Sequence, residues 1–299
     1  MRILLLGLLF SWWSLPLSTA CDGCGCSVAG GGIGLLTQAN ARFLSLTYRY
    51  SAFELSSHDG IPNVARDHFN NWQLAARIGL SSRFLVEGAL PYHLIIREGE
   101  GAIPVEQNGI GDLRLMVHYT LVDRMDPVPK NGFQWSLGLG SSAPTGAYNP
   151  VYDDAIPDHL NPGAGTWGLL LQSNLSWQKG PWGLNSRFTG QLRSENEANY
   201  RFGDQWTNTT LIFWRRSAGR LAWAPFAGWY GEYLANGRRF DRPEDPTTRG
   251  WGTFLNAGLE VKWQSLHLSA QWQLPFAQDF SGGETQANSR VAFTLAFLL

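Results

Sequence analysis

From Arg42 onward apolar and polar residues alternate with a period of two, the signature of strands whose two faces meet different surroundings. The alternation comes in segments of ten or so residues separated by clusters of Gly, Pro, Asn and Asp. Twelve segments are predicted, near 42–53, 68–80, 82–96, 110–122, 133–142, 166–178, 183–195, 206–217, 222–233, 251–263, 266–276 and 288–299. Each is close to the length that a tilted strand needs to cross hydrocarbon. In the fourth, Leu113, Leu115, Val117, Tyr119 and Leu121 take one face, while Arg114, Met116, His118 and Thr120 take the other. The seventh sets Leu184, Phe188 and Leu192 against Asn185, Arg187, Thr189, Gln191 and Arg193. The eleventh sets Leu266, Leu268, Ala270, Trp272 and Leu274 against His267, Ser269, Gln271 and Gln273. One face suits lipid and the other water, so the pattern predicts an all-β fold, an antiparallel up-and-down transmembrane β-barrel of about twelve strands with a polar lumen.

The connections alternate as well. Ser81-Ser82, Lys179 to Trp182, Ser217 to Leu221 and Gln264-Ser265 read as tight periplasmic turns, with Asp123 to Gly132 a longer one of the same class. Residues 54–67, 97–109, 143–165, 234–250 and 277–287 read as outer loops. Trp167 and Trp177 lie ten positions apart on one strand face. At about 3.3 Å per residue and a tilt near 40–45° they stand roughly 24 Å apart along the membrane normal, enough to mark both interfaces of an apolar band. Trp251 and Trp263 repeat the arrangement. The last segment alternates Val291, Phe293, Leu295, Phe297 and Leu299 up to the final residue, an ending that a soluble sandwich has little use for. It suits recognition by the barrel assembly machinery, with Leu299 in place of the usual aromatic residue.

Composition narrows the class further. The chain has 299 residues and a net charge of -1, so nothing electrostatic calls for nucleic acid. Aromatic residues make up 13% of it, with 14 Trp and 34 Gly, as expected of twisted strands, tight turns and aromatic belts. After the first twenty residues no stretch stays apolar for 18 positions, which excludes a helical membrane protein. Met1-Arg2, the apolar run Ile3 to Leu17 and the small residues Ser18-Thr19-Ala20 read as a signal peptide over 1–20. A Cys/Gly-rich segment over 21–41 and the barrel over 42–299 follow, and the expected location is the outer membrane of a Gram-negative bacterium.

Two groups of residues carry candidate chemistry. Cys21, Cys24 and Cys26 place every cysteine of the chain within six residues. They suit a soft metal such as Cu(I) or Zn, a lipid anchor on Cys21, or a set of oxidised thiols. Two or three thiolates are too few for a closed tetrahedral site, so no resident cofactor is expected beyond a shared or transient ion. The run Gly30-Gly31-Gly32-Ile33-Gly34 lacks the Lys-Ser/Thr of a phosphate loop and reads as a tether. The second group is ionisable residues opposite an apolar face: Arg77, Glu87, Arg114, His118, Arg187, Arg193, Glu260 and Lys262. These pair across the lumen, or line a path and select solutes by charge. A lipid hydrolase would need a Ser and a His facing lipid. His118 and His267 instead fall on the inward face, and no enzymatic activity is expected.

The stretch Gly109-Ile-Gly-Asp-Leu-Arg-Leu-Met-Val-His-Tyr-Thr-Leu121 resembles the outer-membrane transporter family named for the MetA pathway of phenol degradation, in which a Gly-x-Gly-Asp-Leu opens a strand. Ala143-Pro144-Thr145-Gly146 and Asn161-Pro162-Gly163-Ala164-Gly165-Thr166 are similar to that family's Pro-Thr-Gly and Gly-x-Gly loop, and the Cys-Gly-Cys-Ser start to a subset described only as transporters. The resemblance implies an outer-membrane barrel that passes small apolar or aromatic solutes. The expected partners are outer-membrane lipids, a small-molecule solute and the assembly machinery, and loop 143–165, rich in Pro, Gly and Asp, is expected to gate the mouth. The rival expectation is a structural or metal-handling surface protein that works through Cys21 to Cys26.

Overall fold

A period-two pattern leaves every backbone N–H and C=O pointing sideways, and in a membrane each must find a partner within the protein. The computed structural model shows how that demand is met. It describes residues 42–56, 65–99, 104–126, 131–148, 158–239 and 248–299. The segments predicted at 1–20 and 21–41, with Cys21, Cys24 and Cys26, lie outside the described residues. Twelve strands form: β1 (Phe43–Leu55), β2 (Ala65–Gly79), β3 (Phe84–Gly99), β4 (Val105–Ile110 and Leu113–Met125), β5 (Gly132–Ala143), β6 (Gly168–Lys179), β7 (Trp182–Arg193), β8 (Gln205–Trp214 and Arg216–Ala218), β9 (Leu221–Leu234), β10 (Gly250–Trp263), β11 (Leu266–Phe280) and β12 (Thr285–Ala287 and Arg290–Leu298). Each pairs antiparallel with the strand before and after it in sequence. β12 returns to β1, from Phe43↔Leu298 to Tyr50↔Val291, so the barrel closes and has no edge.

The predicted faces hold. On β12, Phe293, Leu295 and Phe297 are each about half exposed on the outer wall, while Arg290, Ala292, Thr294 and Ala296 are buried inside. Trp167 and Trp177 are both exposed on that wall, as are Trp251 and Trp263. Trp167 stands one residue ahead of β6 rather than within it.

The outer strand ends need correction. The loops predicted at 97–109 and 277–287 are largely strand and the one at 54–67 is strand at both ends: β1 reaches Leu55, β2 begins at Ala65, β3 reaches Gly99, β4 begins at Val105 and β11 reaches Phe280. The β11–β12 connection shrinks to a turn at Ser281–Gly283, where Ser281, Gly282 and Gly283 all take positive φ. Alternating hydrophobicity reports only where a strand touches lipid. Beyond that band the ladder continues between polar residues, such as the facing pairs Glu54↔Arg66 and Asp67↔Arg97. Outside the barrel, Tyr200–Arg201 pairs with Arg238–Arg239 and ties the β7–β8 loop to the β9–β10 loop.

Candidate functional site in the barrel lumen

Between β5 and β6 the chain folds inward, and a knot at its base explains why. Asp112 sits where β4 breaks, between Ile110 and Leu113. One of its carboxylate oxygens accepts the Gly146 N–H at 3.0 Å and the other accepts the Ala164 N–H at 3.0 Å, so a single side chain holds both limbs of the loop. The Leu113 N–H donates to Thr145 Oγ1 at 2.9 Å, and the Ala147 and Gly163 N–H groups donate to the carbonyls of Ile110 and Ala147. Gly146 and Gly163 meet back to back: a Cβ on either would stand 2.7 Å from the other's Cα. Glycine is needed there for close approach of two backbones.

The knot delivers the short 3-10 turn Asp158–Leu160 into the bore. His159 is buried against the Asp67–Arg97 pair: Arg97 donates two hydrogen bonds of 2.6 Å to Asp67, and His159 Nε2 lies 3.2 Å from Arg97 Nη2 and 3.6 Å from Asp67 Oδ2. Leu160 enters an apolar cluster with Phe53, Phe69, Ile95, Tyr230, Phe254 and Phe280, all of them 3% exposed or less. These side chains lie on inward positions near the outer ends of their strands. The lumen predicted to be polar is therefore apolar at its outer end. It is apolar again near the periplasmic end, around Phe43, Ala75, Ala89 and Ala296 and around Leu211, Phe213, Ala224 and Phe226. Large inward rings fill the bore at these levels and exclude the water that the polar expectation assumed.

Polar groups fill the bore between these levels and also stand beside the periplasmic clusters, where Arg77 faces Phe43 and Glu260 faces Ala224 in the register. Arg77 Nε donates to Glu87 at 2.8 Å, with a second contact from Nη2, and His118 Nε2 stands 3.6 Å from the same carboxylate. The sequence thus picked out three residues that the fold brings together. Arg187 donates to Asn174 Oδ1 at 2.9 Å and lies within electrostatic reach of Arg77 and Glu87 across the bore. Arg114 donates to Gln73 at 2.7 Å and is coupled to Arg193 and to Arg49. Glu260 pairs with His267 at 3.3 Å. Lys262 is exposed, at the periplasmic end of β10 two residues beyond Glu260, and joins none of these groups. Its place on the inward face read correctly, but the strand had left the enclosed bore.

Sequence reasoning missed Asp67, Arg97, Asp112, His159, Arg49 and the pair Arg290–Glu232. Asp67 falls within the predicted loop 54–67; opposite charges facing each other across a hairpin are the signal that could find it. Arg290 donates to Glu232 at 2.6 and 3.1 Å, and Tyr230 donates to the same carboxylate at 2.9 Å. The partners are 58 residues apart and no local pattern links them.

Gly138 makes room for His118, since a Cβ there would stand 2.7 Å from His118 Nδ1. Gly138→Val should dislodge the imidazole and cost about 1–3 kcal/mol. A lower midpoint in the heat-dependent gel shift of the folded barrel is the expected readout.

The profile of the family described as "Putative MetA-pathway of phenol degradation" matches residues 37–288. The chain belongs to this family. The Gly-x-Gly-Asp-Leu, Pro-Thr-Gly and Asn-Pro-Gly-Ala-Gly-Thr stretches that carry the resemblance are the three strands of the knot around Asp112. Among solved structures, the chain is similar to the COG4313 outer membrane channel from Pseudomonas putida F1, at 16% identity and a TM-score of 0.69, covering 87% of this chain and 96% of that one. It is also similar to the β domain of the Bordetella autotransporter BrkA, at 14% identity and a TM-score of 0.55, covering 87% of this chain and all of that one. At such identities the likeness shows the fold, that of outer-membrane β-barrels. No curated protein matches the chain in sequence.

Proposed function

We propose that this member of the MetA-pathway family is a passive outer-membrane channel for small solutes, apolar or aromatic in part, gated by the segment around His159 and Leu160. The observation that carries the reading is the inward-folded turn. A barrel serving only as an anchor has no use for a loop fastened at its base by Asp112 and latched inside by Asp67 and Arg97. The aromatic cluster at the outer end of the bore supports an apolar component in the solute, as does the family's tie to phenol degradation. A cluster closed by one side chain from a loop opens when that loop withdraws, whereas a strand in the wall cannot move without breaking its ladder.

Liposome swelling with solutes of graded size and polarity tests the reading. Proteoliposomes should swell in small solutes, faster in those with an aromatic ring than in sugars of equal size. Swelling no faster than empty liposomes for every solute would sink it.

A further inference from the structure

Below the plug the bore holds more positive charge than its carboxylates balance. Among the described residues, Arg49, Arg77, Arg114, Arg187, Arg193 and Arg290 face inward against Glu87, Glu232 and Glu260, and this leaves out Arg215 and Lys262 at the periplasmic rim. Each glutamate is already engaged, by Arg77 and His118, by Arg290 and Tyr230, and by His267. Asp112, the next carboxylate near Arg114, is held by two backbone N–H groups of the knot.

Arg187 is the most exacting member of the set. It is 8% exposed, its one hydrogen bond goes to the neutral Asn174, and its Nη2 has no partner. Two positions along the same inward face of β7, Thr189 is 3% exposed and its hydroxyl has no partner either. Buried donors are almost always satisfied, and a buried cation is costly when the carboxylate within its reach, Glu87, is already taken by Arg77 and His118. A ligand that accepts hydrogen bonds and carries negative charge removes both deficits.

We infer that the middle of the lumen is a binding site for a small organic carboxylate, held by Arg187 and Thr189 in the field of Arg77. A carboxylate matches the planar fork of a guanidinium and needs two acceptors. A doubly charged phosphate would lose more hydration on passing the apolar layers at either end of the bore. An apolar or aromatic body on the anion suits those layers. The inference deepens the channel reading by naming a substrate class, and binding can be measured apart from transport.

The experiment uses the full chain in detergent, with benzoate and the uncharged, similarly shaped benzyl alcohol as probes in equilibrium dialysis. Planar-bilayer recordings under a salt gradient give the anion-to-cation permeability ratio of the same preparations. Benzoate should bind saturably and at least tenfold more tightly than benzyl alcohol, and Arg187→Gln should weaken benzoate about tenfold or more while leaving the alcohol unchanged. The permeability ratio should favour anions in the wild type and fall severalfold in R187Q. Equal binding of the two probes, no saturable benzoate binding, or unaltered binding in a folded R187Q would overturn the site. Should R187Q fail to fold, the wild-type comparison of benzoate with benzyl alcohol still decides. Benzoate binding without any conductance would sink the channel reading and leave the site standing; conductance without benzoate binding would do the reverse.

Discussion

Asp112→Ala is expected to raise the open population of the channel about a hundredfold or more while leaving the barrel folded. Its carboxylate accepts the N–H groups of Gly146 and Ala164, one from each limb of the inward loop. Hydrogen bonds to a charged group contribute about 1.5–3 kcal/mol each, and 1.4 kcal/mol is a factor of ten in an equilibrium. Removing the side chain frees both limbs at once, whereas the contacts of Leu160 and His159 further in remain available to the closed state. The strand ladder around Asp112 is already interrupted between Ile110 and Leu113, so no wall hydrogen bond is lost. Single-channel recordings in planar bilayers give the open probability directly. Gly146→Val forces apart the same two limbs by overlap with Gly163 and should act in the same direction. If both variants gate like the wild type, the inward turn is a fixed filling of the bore and not a gate.

Arg290→Ala should be the most damaging single change in the lumen, costing about 3–5 kcal/mol of barrel stability. The guanidinium is 5% exposed, makes two hydrogen bonds to Glu232, and lies 4.0 Å from the centroid of the Phe254 ring and 5.3 Å from that of Phe53. Truncating it takes from the Glu232 carboxylate, in a site 6% exposed, the partner that donates two hydrogen bonds to it, and opens a void beneath the aromatic cluster. The double change Arg290→Met with Glu232→Gln removes both charges and keeps most of the volume. It should cost clearly less than Arg290→Ala alone, because the penalty lies in the uncompensated ion and not in the lost attraction. Urea unfolding in detergent micelles, followed by Trp fluorescence, measures the ordering of the three proteins. A double variant as unstable as the single one would mean that packing against Phe53 and Phe254, and not charge, holds this level of the bore.

What sequence alone determined is the barrel wall. A residue on a closed sheet sees lipid or lumen according to its parity, so Leu113 to Leu121, the Trp pairs at the ends of β6 and β10, and the ending Val291 to Leu299 were legible from local alternation. The same parity placed Arg77, Glu87, Arg114, His118, Arg187 and Arg193 inside. Only the tertiary structure decided what the inside does. That Arg290 meets Glu232 depends on side chains reaching through the bore between strands that are not neighbours and lie 58 residues apart in the chain. The knot is the sharpest instance. Gly109 to Leu113, Pro144 to Gly146 and Asn161 to Thr166 each read as ordinary turn chemistry, and nothing in any one of them tells that Asp112 binds the other two. Parity is a property of one strand and can be read along it. Closure of the lumen is a property of distances across the barrel, set by twelve registers at once, and one-dimensional patterning carries no term for it.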